Sequence, residues 1–310
     1  MHRTVRALLA VSLAASVVMV AASPAHAAFP GKNGLIAWSK VFFLRDTEIF
    51  VMGPDGSHQH PLTNNDRQDF DPTWSADGSK LAYSSSGADA DVWVINADGT
   101  DEHDVSNDPS GPDIQPAWSP DGSQIAFVKQ NFDGTSALWV MDAGGSNQKP
   151  LTEDTTINVH PNWSPDGTEI AFASDRDGNF ELYTIAPDGS GLTRLTFSTK
   201  QQEDNPNWSP DGRRLAFDAC VFVSYPCPGS PNYEIFSMRP DGSGRQRLTN
   251  DPSIDWNPAW SPDGTQIVFR SDRSPDGTEL WKMDADGSNV VQLTIGPYQG
   301  GVDPDWQPRP

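Results

Sequence analysis

Pro161-Asn162-Trp163-Ser164-Pro165-Asp166-Gly167-Thr168-Glu169-Ile170-Ala171-Phe172 is the stretch that decides the fold. A short segment runs to Trp163. Ser-Pro-Asp-Gly then reverses the chain, because proline presets φ and glycine accepts φ > 0 without steric cost. Ile170-Ala171-Phe172 returns. Asp-Gly between two such segments is the strongest short-range hairpin signal. Trp-Ser-Pro-Asp-Gly recurs at 118–122, 208–212 and 260–264. Trp74-Ser75-Ala76-Asp77-Gly78 is a near copy, and Trp306-Gln307-Pro308 is a truncated one. The tryptophans are spaced by 44, 45, 45, 52 and 46 residues, so the period defines a repeat architecture.

Each unit holds four short segments rich in aliphatic and aromatic residues and bounded by Gly, Pro and Asp, which reads as four strands. The first is Pro-x-Trp-Ser. The second is Ile170-Ala171-Phe172 and its equivalents, with Leu35-Ile36-Ala37-Trp38 as the copy that lacks a leading Trp. The third is Ile49-Phe50-Val51-Met52 and its equivalents. The fourth ends in Leu-Thr at 62–63, 151–152, 195–196, 248–249 and 293–294, with Val105-Ser106 as the divergent copy. Four antiparallel strands repeated radially six times make an all-β, six-bladed propeller. The chain starts on a second strand and ends on a first one. The C-terminal strand is therefore expected to complete the N-terminal blade, leaving no open edge.

Composition agrees. The 310 residues carry 42 Asp+Glu against 21 Lys+Arg, a net charge of −21. Such a surface repels phosphate, so a nucleic-acid partner is not expected. Hydrophobic residues make up 36%, below the roughly 45–50% of an average domain, which excludes a polytopic membrane protein. Eleven Trp, 14 Phe and five Tyr argue against disorder, since they supply large buried area.

Residues 1–27 read as a secretory signal. Arg3 and Arg6 precede the apolar stretch Ala7–Ala22, and Ala25-His26-Ala27 is an A-x-A cleavage site. The expected mature chain is one propeller domain, 28–310, without a membrane span. Cys220 and Cys227 are the only cysteines. In an oxidising compartment they are expected to pair, and the eight-residue loop they close would contribute about 2.5 kcal/mol.

The repeat Pro-x-Trp-Ser-Pro-Asp-Gly-x-x-Ile-Ala-Phe, followed by Met-x-x-Asp-Gly-Ser and Leu-Thr, resembles that of TolB-type propellers, the WD40-like β-propeller repeats. The resemblance covers the whole mature chain. It implies a periplasmic protein whose propeller binds a peptidoglycan-associated lipoprotein. Only about six residues separate Ala27 from the first strand, so the TolB-type N-terminal domain is not expected. Similar repeats precede the hydrolase domain of prolyl oligopeptidases, and no such domain is expected either.

Both tight turns of each unit fall on one face. The second-to-third loops and the fourth-to-first crossovers fall on the other, the loop face. Functional residues concentrate on loops held by a rigid scaffold. Asp71, Gln115, His160, Asn205, Asn257 and Asp303 each precede the Pro of a first strand. They should ring the mouth of the central channel. Two readings stay open: a site for Ca²⁺, another cation or a polar ligand, and a ring bonded to water and neighbouring backbone. Trp256 falls at a position that is apolar in five of six units and is expected to pack beneath the crossover.

Two loop-face segments depart from the repeat. One holds Phe42 and Phe43. The other runs from Cys220 through Phe222, Tyr225 and Cys227 to Tyr233. Exposed aromatic clusters of this kind mark partner-binding sites, with strand extension as the alternative. No Gly-x-Ser-x-Gly elbow is present, and no nucleophile, base and acid stand together. The sequence therefore predicts a monomeric, secreted, non-enzymatic scaffold, periplasmic or extracellular, that binds a protein or cell-envelope component through its loop face and needs no cofactor. Its rivals are a ligand- or cation-binding propeller and a carbohydrate-active lyase or hydrolase.

Overall fold

A computed structural model describes residues 29–42, 47–86, 90–199, 201–221, 232–296 and 300–309. Among them are six four-stranded antiparallel sheets and no helix. Blade 1 joins the C-terminal strand Gly300–Arg309 to Lys32–Val41, Thr47–Met52 and His60–Pro61. Blade 2 is Gln68–Trp74, Lys80–Ser86, Ala90–Asn96 and His103–Asp104. Blade 3 is Asp113–Trp118, Gln124–Gln130, Ser136–Asp142 and Lys149–Pro150. Blade 4 is Asn158–Trp163, Ile170–Ser174, Glu181–Ile185 and Thr193–Arg194. Blade 5 is Glu203–Trp208, Leu215–Cys220, Tyr233–Met238 and Gln246–Arg247. Blade 6 is Asp255–Trp260, Gln266–Ser274, Gly277–Asp284 and Val291–Gln292. The ring closes as the repeat predicts, with Trp306 opposite Ile36 and Arg309 opposite Lys32.

The core is not one mass but six, one per blade interface. Between blades 3 and 4, Val128 and Val140 meet Trp163, Ile170 and Phe172. Between blades 4 and 5, Ala173 and Leu182 meet Trp208, Leu215 and Phe217. Between blades 6 and 1, Val268 and Leu280 meet Ile36, Trp38 and Trp306. Each repeat tryptophan is thus a wedge driven into the neighbouring blade, and it is buried in all six copies. Aromatic residues of that size dominate the area a blade can bury.

The fourth strand stops immediately before Leu-Thr rather than including it. The Leu instead packs inward, and the hydroxyl accepts a hydrogen bond from the backbone of the third strand. Thr63, Ser106, Thr152, Thr196, Thr249 and Thr294 accept from Ile49, Val92, Leu138, Leu182, Ile235 and Leu280, all at 2.9 Å. The hydroxyl replaces a ladder partner where the outer strand peels away, which satisfies a buried N–H. Ser-Pro-Asp-Gly is built similarly. In blade 3, Ser119 Oγ and the Ser123 amide both donate to Asp121 Oδ1, at 2.7 and 3.0 Å. Gly122 then turns at φ +70°. In the second tight turn, Gly145 has φ +86° and a Cβ there would lie 1.9 Å from the Val105 carbonyl of blade 2. Only glycine fits both conditions.

Candidate functional site at the channel mouth

All six first strands carry a bulge at one place. The register between first and second strands slips across Phe70/Thr73, Ile114/Ala117, Val159/Asn162, Asp204/Asn207 and Trp256/Ala259, with a matching slip in blade 1. The residues within the slip are the ring residue and its proline. Proline has no N–H to give, so the ladder breaks there. The ring residue takes up the break in the left-handed region: Asp71, Gln115, His160, Asn205, Asn257 and Asp303 have φ of 50–55°. Asn and Asp visit this region most readily among non-glycine residues, and four of the six are Asn or Asp. For Gln115 and His160 the cost is about 1–2 kcal/mol each. Strain of this kind clusters at functional sites.

The bulge turns the six side chains inward, and all six line the channel as the spacing predicts. They bond to one another in a closed circuit. Ser84 Oγ donates to Asp71 Oδ2 at 3.1 Å and accepts from the Gln115 amide at 2.9 Å. Gln115 Oε1 accepts from the His160 amide at 3.0 Å. His160 Nδ1 donates to Asp204 Oδ1 at 2.7 Å, and that oxygen also takes the Asn205 amide at 2.8 Å. Asn257 Nδ2 donates to Asn205 Oδ1 at 3.0 Å and to Asp303 Oδ1 at 2.8 Å. Asp71 donates to Asp303 and completes the circle.

Charge follows from this geometry. Burial pushes Asp71 up, and the facing Asp303 carboxylate pushes it further, so the two share a proton. Burial also raises Asp303, against the pull of His160 and Arg270. Burial alone would lower His160, but Asp204, Asp71 and Asp303 outweigh it and hold its imidazolium up to about 9. His160 keeps 27% of its side-chain surface open, on the channel side. Asp218 is pushed up by burial and by Asp204. It accepts from Asn205 Nδ2 at 2.7 Å and from the Asn257 amide at 3.1 Å.

Ser84, Asp204 and Asp218 are members of the circuit that the ring spacing did not single out. Ser84 and Asp218 do share a signal, since each directly follows the aromatic residue of its second strand. A deeper layer was also missed. Asp69, Asp113, Asn158, Glu203 and Asp255 sit two residues before their ring residues and are fully buried. Ser85 donates to Asp69 at 2.5 Å, Lys129 lies 3.4 Å from Asp113, and Arg176 donates to Asn158 at 2.7 Å. Arg245 pairs with Glu203, and Arg273 donates to Asp255 at 2.5 Å. Each of these bonds stays within one blade and ties the first strand to that blade's other strands or loops.

The cavity at the channel mouth measures about 120 Å³ and opens to solvent. At the tight-turn end, Phe29 packs over Thr73, Ala117, Asn162, Asn207 and Asp305, leaving about 30 Å³. Among the described residues no group of three or more His, Cys, Asp or Glu is arranged to hold a metal ion. The ring carboxylates are spent on one another and on amides. No serine or cysteine hydrogen-bonds His160 among the described residues.

Of the loop candidates, Phe42 is half-buried against Phe50, ring centroids 5.8 Å apart, and joins the core between blades 1 and 6. Tyr233 opens the third strand of blade 5 and donates to Gln202 Oε1 at 3.1 Å. Cys220 is fully buried at the end of its strand. Phe43, Phe222, Tyr225 and Cys227 lie outside the described residues, and with them the expected Cys220–Cys227 pairing. Trp256 is half-buried and lies outside the six core clusters. The most exposed large apolar side chains were not anticipated. Phe132 (85%), Ile295 (75%) and Phe197 (72%) all stand on loop-face segments, one on a second-to-third loop and two on crossovers.

The family profile described as the TolB beta propeller domain matches residues 36–222 and 205–309. The Tol-Pal system protein TolB of Zymomonas mobilis is 42% identical over 77 residues, 24% of this chain and 16% of that protein. The chain thus spans well under a quarter of that relative's length. The crystal structure of TolB from Acinetobacter baumannii superposes with a TM-score of 0.73 at 24% identity, covering 91% of this chain and 69% of that one. An oligogalacturonate lyase in complex with manganese superposes at 0.59 with 14% identity, covering 83% of this chain and 78% of that one. At these identities the solved structures report the fold alone.

Proposed function

We propose a binding role from a plain premise: the chain belongs to the TolB β-propeller family. It acts as a secreted, non-enzymatic scaffold, and its loop face takes an envelope protein across the channel mouth. One observation carries this reading. Among the described residues, the three most exposed large apolar side chains, Phe132, Phe197 and Ile295, all stand on segments of that face, on different blades. Large apolar side chains exposed on one face of a rigid scaffold mark a candidate interaction surface.

The channel argues for binding over its mouth rather than turnover within it. A cavity of about 120 Å³ suits a side chain inserted from a partner seated over the mouth. The ring side chains are bonded to one another in a circuit, which suits a rigid floor better than a reacting centre. The relative's place in the Tol-Pal system makes an envelope protein the partner class to test, and a periplasmic location follows from that reading. A Cys220–Cys227 bridge would stiffen the neighbouring loop and spare its entropy on binding.

The test is capture from the envelope fraction with mature protein as bait, with the bound protein identified by mass spectrometry. A Phe132→Ala, Phe197→Ala, Ile295→Ala triple variant should keep its fold, since these side chains are exposed, and lose capture. Leu192→Ala with Val291→Ala, on the opposite side of the blades, should not. Equal capture by both variants would remove the loop face from the interaction.

A further inference from the structure

Among the described residues, one guanidinium beside the ring, near Asp303, stands without a hydrogen-bonded partner. Arg270 follows Phe269 at the end of the repeat's second strand, where blades 2 and 5 carry Ser84 and Asp218. Those two residues accept from the backbone amide of the next blade's ring residue, at 2.9 and 3.1 Å. A guanidinium offers only donors and cannot do so. Arg270 instead lies across from Trp256 in the register and stacks on its ring, 4.8 Å to the centroid. Its Nε is buried with no hydrogen-bond partner, and no carboxylate lies within 4 Å of it among the described residues. Asp303 and Asp272 act on it only at longer range.

The other half-buried arginines are different. Arg67, Arg176, Arg194, Arg214 and Arg273 each set the guanidinium on a side-chain oxygen. A half-buried charge without a partner is costly, and a chain with 42 acids had many ways to supply one. Trp256 holds the planar group by its face and Nε is buried, which leaves the two terminal nitrogens to meet a planar anion. The ring does not repel such a group as the net charge suggests. His160 is cationic, Asp204 is paired with it, and Asp71 and Asp303 share a proton.

We infer that Arg270, presented by Trp256, is a carboxylate-recognition residue at the channel mouth, and that the protein partner enters with an acidic side chain. This deepens the binding role proposed above and rests on it for the source of the carboxylate. The occupant is a single acidic side chain of that partner.

The test uses the mature protein and N-acetylglutamate N-methylamide as probe, with the glutamine counterpart at matched ionic strength as control. The readout is the Trp256 indole N–H resonance, assigned with Trp256→Phe. A saturable shift with the glutamate probe alone is expected. Its affinity should fall at least about tenfold in Arg270→Gln, the loss of one charge-assisted bond, and less in Arg270→Lys. Thermal unfolding separates a binding from a structural arginine. Arg270→Gln should unfold at the parent's midpoint or above it, because no internal acceptor is orphaned. A fall of several degrees, or equal shifts with both probes, overturns the inference. A glutamate-specific shift without any captured envelope protein sustains the subsite and overturns the partner reading instead.

Discussion

Removing Pro304–Pro310 takes away most of the strand that closes the ring, and the effect can be sized from what those residues hold in place. Trp306 is 3% exposed and sits in the core shared by blades 6 and 1. Deleting a buried side chain of that size costs about 3–5 kcal/mol. Three polar groups are orphaned as well. The Trp74 amide donates to Asp305 Oδ2 at 2.8 Å, the Leu35 amide donates to Gln307 Oε1 at 3.1 Å, and the Gly78 carbonyl accepts from Gln307 Nε2 at 2.8 Å. Each such orphan costs about 1–3 kcal/mol where water cannot reach it. The total, about 6–14 kcal/mol, matches the roughly 5–15 kcal/mol by which a whole domain is stable. The truncated chain should therefore lack a cooperative transition. Urea unfolding followed by tryptophan fluorescence, with mature chain as reference and Trp306→Ala as an intermediate, measures it. A sigmoidal transition in the truncation, with a midpoint near the parent's, would refute closure as the source of the ring's stability.

Thr196→Val should cost about 1–3 kcal/mol in urea unfolding, because the Leu182 amide loses its acceptor, while Thr196→Ser should stay near wild type. Stability should decline on the alkaline side through His160. Its folded value of about 9 lies above 6.5, so its contribution is complete below pH 6.5 and lost as pH rises through 9. Up to about 3 kcal/mol is at stake, and His160→Gln should flatten the midpoint-against-pH curve over that window. Asp305, raised to about 7 by burial, adds its own loss between about pH 4 and 7, and Asp305→Asn should flatten that lower window. Alkylation of denatured mature protein should label neither cysteine before reduction and both Cys220 and Cys227 after it, read by intact mass.

The sequence by itself determined the blade count, the strand order, the closure and the six ring positions. All of these depend on local chemistry repeated at a fixed interval. Trp-Ser-Pro-Asp-Gly encodes a turn wherever it stands, and a period near 45 residues carries each copy to the same place in its blade. The closed hydrogen-bond circuit was not legible, because its links join different blades. Gln115 meets His160 and Asn257 meets Asp303 across interfaces, at distances set by how the blades tilt. The left-handed backbone of the ring was hidden for a related reason. Asp and Asn before proline hint at it, but Gln115 and His160 adopt it only because the bulge in a closed ring demands it. Arg270 shows the same division. In the sequence it is one more basic residue ending a strand. Only the tertiary structure shows that every nearby carboxylate is already engaged elsewhere, which leaves its charge for a ligand.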